Sequence, residues 1–298
     1  MNGSPKNLAQ WAKIVIELSK IRISQLVALS TLTGYIIATG RLSFEIVLPT
    51  MGIFLLACGS AALNQFQERK IDKFMPRTRI RPLPSGRVTP SAALIIAFSL
   101  MTIGAGVVFF SSNMLAMLLG LLTGVWYNGV YTPLKQKTTM AVIPGALIGA
   151  IPPAVGWVVG GRSLADHQLW AVAFFFFIWQ IPHFWLLLLR FGKQYEAAGF
   201  PSLTRSFSVP QLARITFMWI LATAAACIVI PLFGSGHSLL LILGLFLAAI
   251  WLVWSGAKLI RNINAGVSFG FAFKDINIYM MLVMAMLSLD RLLNLPFS

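Results

Sequence analysis

Residues 46–89 read IVLPTMGIFLLACGSAALNQFQERKIDKFMPRTRIRPLPSGRVT, and the fold class follows from the change of character halfway along that stretch. Residues 46–65 are almost wholly apolar, and a helix of about 20 such residues crosses the hydrocarbon core of a bilayer. Residues 66–89 then carry seven bases (Arg69, Lys70, Lys73, Arg77, Arg79, Arg81 and Arg87) and two acids, Glu68 and Asp72. A new apolar run begins at Pro90. Span, charged connection and span again is the unit, and the rest of the chain repeats it.

Composition supports the same reading. Of 298 residues, 58% are hydrophobic and 10% charged, against about 25% charged in a soluble domain. Windows of about 20 apolar residues predict spans at 23–40, 46–65, 90–110, 114–131, 141–160, 168–189, 215–234, 238–257 and 270–289. The expectation is an all-α polytopic integral membrane protein of nine helices, one domain over 1–298. Met1–Arg22 is polar and basic and runs directly into a segment of spanning length. It reads as the cytoplasmic flank of the first helix, not as a cleavable signal peptide.

The charge is lopsided, with 23 Lys and Arg against 8 Asp and Glu, a formal net charge of +15. In a soluble protein that excess would point to nucleic acid. Here twenty of the bases fall on the N-terminal flank and the connections 66–89, 132–140, 190–214 and 258–274, leaving Arg41, Arg162 and Arg291 opposite. Such a split is the positive-inside pattern. It sets the N-terminus in the cytoplasm and leaves no nucleic-acid partner to infer. Cys58 and Cys227 lie in apolar runs with no Cys or His at metal-ligand spacing, as buried thiols do.

Orientation does not explain seven bases in one connection. Asn64, Glu68 and Asp72 are spaced i, i+4, i+8, so a helix continuing out of the second span would carry them on one face. Mg²⁺ takes oxygen ligands, commonly one or two carboxylates plus the oxygens of a phosphate substrate. An acidic ladder of this kind would hold a diphosphate through the metal, and Lys73, Arg77, Arg79 and Arg81 follow at once with the geometry phosphate oxygens suit. From these residues alone an interfacial helix end, where Glu68 and Asp72 merely neutralise Arg69, Lys70 and Lys73, is an equal alternative.

The order Asn64-Gln-Phe-Gln-Glu68-Arg-Lys-Ile-Asp72-Lys-Phe-Met-Pro-Arg77-Thr-Arg-Ile-Arg81-Pro-Leu-Pro-Ser-Gly86 resembles the first aspartate-rich motif of the UbiA superfamily of intramembrane prenyltransferases, NxxxDxxxD followed by MxRTxxRPLxxG. The tail looks most like the branch that farnesylates protoheme IX to form heme O. Two further stretches are similar to that family in the same order: Tyr131-Thr-Pro-Leu-Lys135-Gln-Lys-Thr138 leading to Ile151-Pro-Pro-Ala-Val-Gly-Trp157, and Trp179-Gln-Ile-Pro-His183-Phe-Trp185 leading to Tyr195-Glu-Ala-Ala-Gly199-Phe-Pro201. The likeness runs from about Lys20 to Pro201; the last three spans match only in hydropathy. Glu68 stands where the family usually has Asp. The order Lys193-Gln194-Tyr195-Glu196 replaces acids that commonly precede the tyrosine, so the second acidic site is depleted. Ala141 occupies a position where the heme-type members tend to have Asn.

The resemblance implies nine helices around a central cavity, capped at the cytoplasmic end by the 66–89 and 190–214 connections, in a bacterial inner membrane. It implies transfer of farnesyl from farnesyl diphosphate to a vinyl group of protoheme IX, assisted by Mg²⁺. It assigns the chemistry to Asn64, Glu68, Asp72 and Lys135, with Glu68 and Asp72 as metal ligands. Arg77 and Arg81 join Lys135 on the diphosphate, Tyr131 and Tyr195 line the rim, and His183 faces the acceptor. Membrane proteins of the heme pathway are implied as partners besides the bilayer. Two alternatives stand beside this: prenylation of a quinone-precursor aromatic acid, and transport of an anionic metabolite. No inverted repeat with paired broken helices, common in transporters, is apparent. Pro152-Pro153 should bend or break span five. Gly145/Gly149 and Gly156/Gly160 have the spacing of close helix packing. The run Phe174–Phe177 reads as packing or lipid contact, and His167 and His237 as solvated far-side residues.

Overall fold

The computed structural model describes residues 7–197, 199, 201, 203–234, 238–261 and 269–293, and these contain helices and no strand. In order they form α1 (Leu8–Leu18), α2 (Ile21–Thr39), α3 (Val47–Glu68), α4 (Pro90–Ser111), α5 (Met114–Val125), α6 (Thr132–Leu134), α7 (Val142–Gly145), α8 (Leu147–Val159), α9 (His167–Ala197), α10 (Leu203–Ser206), α11 (Val209–Val229), α12 (Leu239–Arg261) and α13 (Gly270–Leu293). Nine helical runs among the described residues are long and apolar enough to cross a membrane: Ile21–Thr39, Phe44–Glu68, Pro90–Ser111, Met114–Leu134, Thr139–Val159, His167–Gly192, Val209–Phe233, Leu239–Arg261 and Gly270–Leu293. The nine expected spans all correspond. Even the short Ser-Ser-Asn interruption is a true helix break, because Asn113 Oδ1 accepts the N–H of Ala116 and caps α5. Thr89 caps α4 in the same way, with Pro90 in the first turn.

The outside of this bundle is apolar. Phe98, Phe110, Trp170, Leu240 and Leu247 all point outward, as side chains facing lipid do. Inside, Trp157, Phe175 and Tyr279 are fully buried, and both cysteines are buried and free. Within the phenylalanine run the helix divides the work: Phe174 is exposed while Phe175 and Phe176 are buried. The helices α2 and α8 approach each other closely. A Cβ at Gly34 would collide with the backbone of Pro153, and one at Gly156 with the Thr31 carbonyl oxygen. The small residues let two backbones meet where any side chain would force them apart.

Three details differ from the sequence expectation. The N-terminal flank contains a separate amphipathic helix, α1, which buries Ile14 and Leu18 against Ala62, Leu83, Val88, Ala93 and Ala97. The fourth span widens into a π turn at Trp126–Tyr131, just before Pro133, which has no N–H to give to the carbonyl four residues back. The fifth span is broken, but at Ala146, while α8 runs unbroken through Pro152 and Pro153. A proline ring presses on the carbonyl four residues earlier. For this pair the pressure falls on Ile148 and Gly149, beside a junction closed by tighter bonds from Ala146 N–H to Ile143 O and Gly149 N–H to Ala146 O.

Gly156→Val should therefore destabilise the protein by about 1–3 kcal/mol. Thermal unfolding in detergent, followed by maleimide-dye access to Cys58 and Cys227, reads the effect as a lower midpoint. A midpoint at or above that of the unaltered protein would contradict the close α2–α8 contact.

Candidate active site

The start of α2, the end of α3 and the end of the fourth span converge at the base-rich end of the bundle. The helix α3 does not continue to Asp72, so the expected ladder on one helix face is corrected. It stops at Glu68, and Asp72 opens a single 3₁₀ turn, Asp72–Phe74. Arg69 explains the stop: its guanidinium stacks on the Phe66 ring and takes the Phe66 carbonyl at 2.6 Å. The chain then folds back, with Thr78 Oγ1 donating to the Asp72 carbonyl at 2.9 Å. Both carboxylates nevertheless end up inside, Glu68 at 5% and Asp72 at 1% exposure.

Each acid meets a base. Glu68 Oε1 is ion-paired with Lys135 Nζ, and Asp72 Oδ2 accepts from Arg81 at 2.7 Å. Asp72 Oδ1 is buried with no hydrogen-bond donor. Asn64, one turn before Glu68 and fully buried, donates from Nδ2 to Thr132 Oγ1 at 3.1 Å and accepts from Lys20 Nζ at 2.8 Å. Asn64, Glu68, Asp72, Lys135 and Arg81 are thus brought to one place, as the sequence predicts.

Polar contacts inside the membrane region position Lys135. Asn128, in the π turn, accepts from Ser60 Oγ at 2.6 Å and donates to the Ser60 carbonyl and to Gln67 Oε1, while Gln67 Nε2 donates to the Asn128 carbonyl. Thr132 Oγ1 donates to the Tyr127 carbonyl. The widened turn leaves carbonyls for these side chains to use, and the result fastens the fourth span to α3. Tyr131 is held in an aromatic stack, 5.0 Å from Phe184 and 5.9 Å from Tyr127 between ring centroids, with Lys135 Nζ 5.5 Å from its own ring.

Lys20 is the residue that sequence reasoning missed, having been counted with the orientation charges. It sits at the corner between α1 and α2 with φ of 45°, the one positive value at a non-glycine position among the described residues. A left-handed lysine is strained by about 1–3 kcal/mol. The corner is held by Gln65 Nε2, which donates to the carbonyls of Glu17 and Leu18, and by Ser24 Oγ on the Ser19 carbonyl. Burial, and after it the nearby Arg81 charge, pull the Lys20 ammonium down to about 7. Its only sequence signal is a base one residue before a span.

Other expected residues lie elsewhere. Arg77 is exposed and stacks on Phe191, 4.6 Å from the ring centroid, with Arg190 5.3 Å from the same ring; it bridges the 66–89 and 190–214 connections instead of joining Arg81. His183 is surrounded by Trp179, Phe184 and Phe273, and its Nδ1 has no hydrogen-bond partner. Gln194 Oε1 is likewise buried without a donor. The Tyr195 side chain, and His237, lie outside the described residues. A shallow groove opens beside Lys135, lined by Tyr131, Thr138, Ala141, Phe184 and Leu188 among others.

The oxygen set suits a hard divalent cation: two carboxylates, a carboxamide, and one buried carboxylate oxygen awaiting a partner. No group of three or more His, Cys, Asp or Glu side chains forms a closed metal cage among the described residues. Oxygens from a substrate would have to complete the shell.

The family model described as the UbiA prenyltransferase family matches residues 27–274. A protoheme IX farnesyltransferase of Nitratidesulfovibrio vulgaris is 36% identical over 219 residues, covering 74% of this chain and 76% of that protein. One of Oleidesulfovibrio alaskensis is 32% identical over 276 residues, covering 92% and 95%. Among solved structures, a UbiA homolog from Archaeoglobus fulgidus bound to GPP and Mg²⁺ superposes with a TM-score of 0.69 at 14% identity, over 94% of this chain and 99% of that one. A digeranylgeranylglyceryl phosphate synthase gives 0.76 at 13% identity, over 94% and 98%.

The Lys20 environment has a pH signature. Between pH about 7 and the usual 10.5 of a lysine, the unfolded chain holds a proton that folded Lys20 has shed, so stability of the ligand-free protein should rise with pH. Below about 7 both states are protonated and Lys20 contributes no slope. Melting temperatures at about pH 7 and about pH 9 should diverge for the unaltered protein more than for Lys20→Met. Equal slopes would contradict a buried ammonium.

Proposed function

The chain belongs to the UbiA prenyltransferase family, and on that footing we propose that it transfers farnesyl from farnesyl diphosphate to a vinyl group of protoheme IX. It is a membrane prenyltransferase, an enzyme and not a carrier of anionic metabolites. The observation that carries the donor half of the reading is the buried Glu68 and Asp72 pair facing Lys20, Lys135 and Arg81. The acceptor half draws on relatives named protoheme IX farnesyltransferase that align with most of the chain.

Ionisation of the allylic C–O bond sends the electron pair to the departing diphosphate, whose charge grows in the transition state. Fixed ammonium and guanidinium groups of Lys20, Lys135 and Arg81 stabilise that charge without having to reorganise. Mg²⁺ held by Glu68 and Asp72, with Asn64 beside them, would supply further neutralisation of the phosphate oxygens. Tyr131, stacked between Tyr127 and Phe184, forms with them an aromatic wall at the rim that helps exclude water from the allylic cation until the acceptor attacks. The vinyl group adds to the cation, and water then quenches the adduct as a hydroxyethylfarnesyl substituent with loss of a proton. His183, ringed by Trp179, Phe184 and Phe273 with a free Nδ1, is the acceptor-side contact, and Tyr195 lines the rim. We assign the whole chain to one domain, with the base-rich end and N-terminus on the cytoplasmic face of a bacterial inner membrane, following the positive-inside bias.

Membranes containing the protein, given farnesyl diphosphate, Mg²⁺ and protoheme IX, should yield the hydroxyethylfarnesyl adduct by mass spectrometry. Absence of that product together with prenylation of an aromatic acid would overturn the acceptor assignment in favour of quinone-precursor chemistry.

Asp72→Ala and Glu68→Ala should each lower turnover by at least about 100-fold while the protein still inserts. Glu196→Ala should cost less than about 10-fold, within the range of a group outside the main charge cluster. Unchanged turnover in the Asp72 variant would refute its role.

A further inference from the structure

We propose that this chain holds its prenyl diphosphate with one divalent cation, and that the ammonium groups of Lys20 and Lys135 fulfil the role a second cation would have. The inference rests on the prenyl-diphosphate reading above and concerns how that anion is neutralised.

Ligands for a second ion are in short supply. Of the buried carboxylate oxygens, Glu68 Oε1 is taken by Lys135 and Asp72 Oδ2 by Arg81. Asp72, 1% exposed, keeps Oδ1 without a donor, and Glu68 has its second carboxylate oxygen besides the one on Lys135. That is an anchor for one ion. A second ion needs charge from another helix, and the end of α9 offers the neutral carboxamide of Gln194. Glu196 does not stand in for it. Two positions apart on one α-helix, the two side chains leave the axis about 200° apart.

Charge must also balance in a site withdrawn from water. Lys20, Lys135 and Arg81 against Glu68 and Asp72 leave one net positive charge. A prenyl diphosphate brings about three negative charges near neutral pH, and one divalent cation returns two positive ones, so the assembly closes at about zero. A second divalent ion would leave about two uncompensated positive charges in a buried site, which is expensive.

The backbone at Lys20 is strained into the left-handed region, and two independent side chains, Gln65 and Ser24, hold the corner that carries it. The outcome is an ammonium fixed 2.8 Å from Asn64 Oδ1, in the same cluster as Lys135 on Glu68. Strain of that kind persists where the surrounding structure over-determines it. The fixed cations thus stand with Arg81 around the two carboxylates.

The test counts metal without requiring turnover. Full-length protein in detergent is saturated with farnesyl thiolodiphosphate, whose bridging sulfur resists ionisation, and Mn²⁺ is titrated with free Mn²⁺ read by EPR. We expect one analogue-dependent Mn²⁺ per chain, with the spectrum of an isolated ion. Two per chain with spin coupling would overturn this proposal and leave the donor assignment standing. No analogue binding, with or without Mn²⁺, would overturn both. In Lys20→Met the count should stay at one while analogue affinity falls at least about ten-fold, a loss of about 1.4 kcal/mol; unchanged affinity would overturn the role given to Lys20.

Discussion

Two carboxylates withdrawn from water at the edge of a bilayer are the constraint on which the rest of this structure depends. A buried carboxylate is costly unless it is paired, and Glu68 and Asp72 find their bases on different parts of the chain. Lys135 comes from the end of the fourth span and Arg81 from the connection after the second. Satisfying the acids therefore draws three separate segments together at one end of the bundle. Asn64 extends the same network to the start of the first span through Lys20. What remains after pairing is a buried Asp72 oxygen without a donor and one net positive charge, a site suited to a metal-bound anion.

The membrane interior is organised to serve that end. Small residues bring α2 and α8 into backbone contact, and the break at Ala146 and the π turn at Trp126–Tyr131 are the irregular backbone. Such irregularity is tolerated within a bilayer where protein covers it; Asn128, Gln67, Ser60 and Thr132 supply the cover at the π turn, and Trp126 Nε1 donates to the Pro144 carbonyl beside the break. The same polar residues set the direction of Tyr131 and Lys135. Structural repair and site construction are one set of hydrogen bonds.

The architecture was legible in the sequence because a spanning helix is a local property: twenty apolar residues announce it wherever they occur, and bases between them announce its direction. The acidic motif was legible by spacing, although the helix that was expected to carry it ends four residues early, since Arg69 takes the carbonyl that a longer helix would use. Lys20 was not legible, because its role depends on a backbone corner and on Asn64, 44 residues away. Arg77 and Arg81 look alike in sequence, yet a turn of chain sends one to the Phe191 ring and the other to Asp72. Asn128 and Gln67 carry no signal of their own, since a polar residue in an apolar run reveals nothing about its partner.

The account stands most directly on where the diphosphate rests. Anomalous diffraction from crystals of the protein with farnesyl thiolodiphosphate and Mn²⁺ would locate it. The predicted result is a manganese peak bonded to Asp72 Oδ1, with the phosphates within hydrogen-bond reach of Lys20, Lys135 and Arg81. A diphosphate seated instead against Arg77 and Arg190 at the Phe191 ring, with no metal at Asp72, would contradict it.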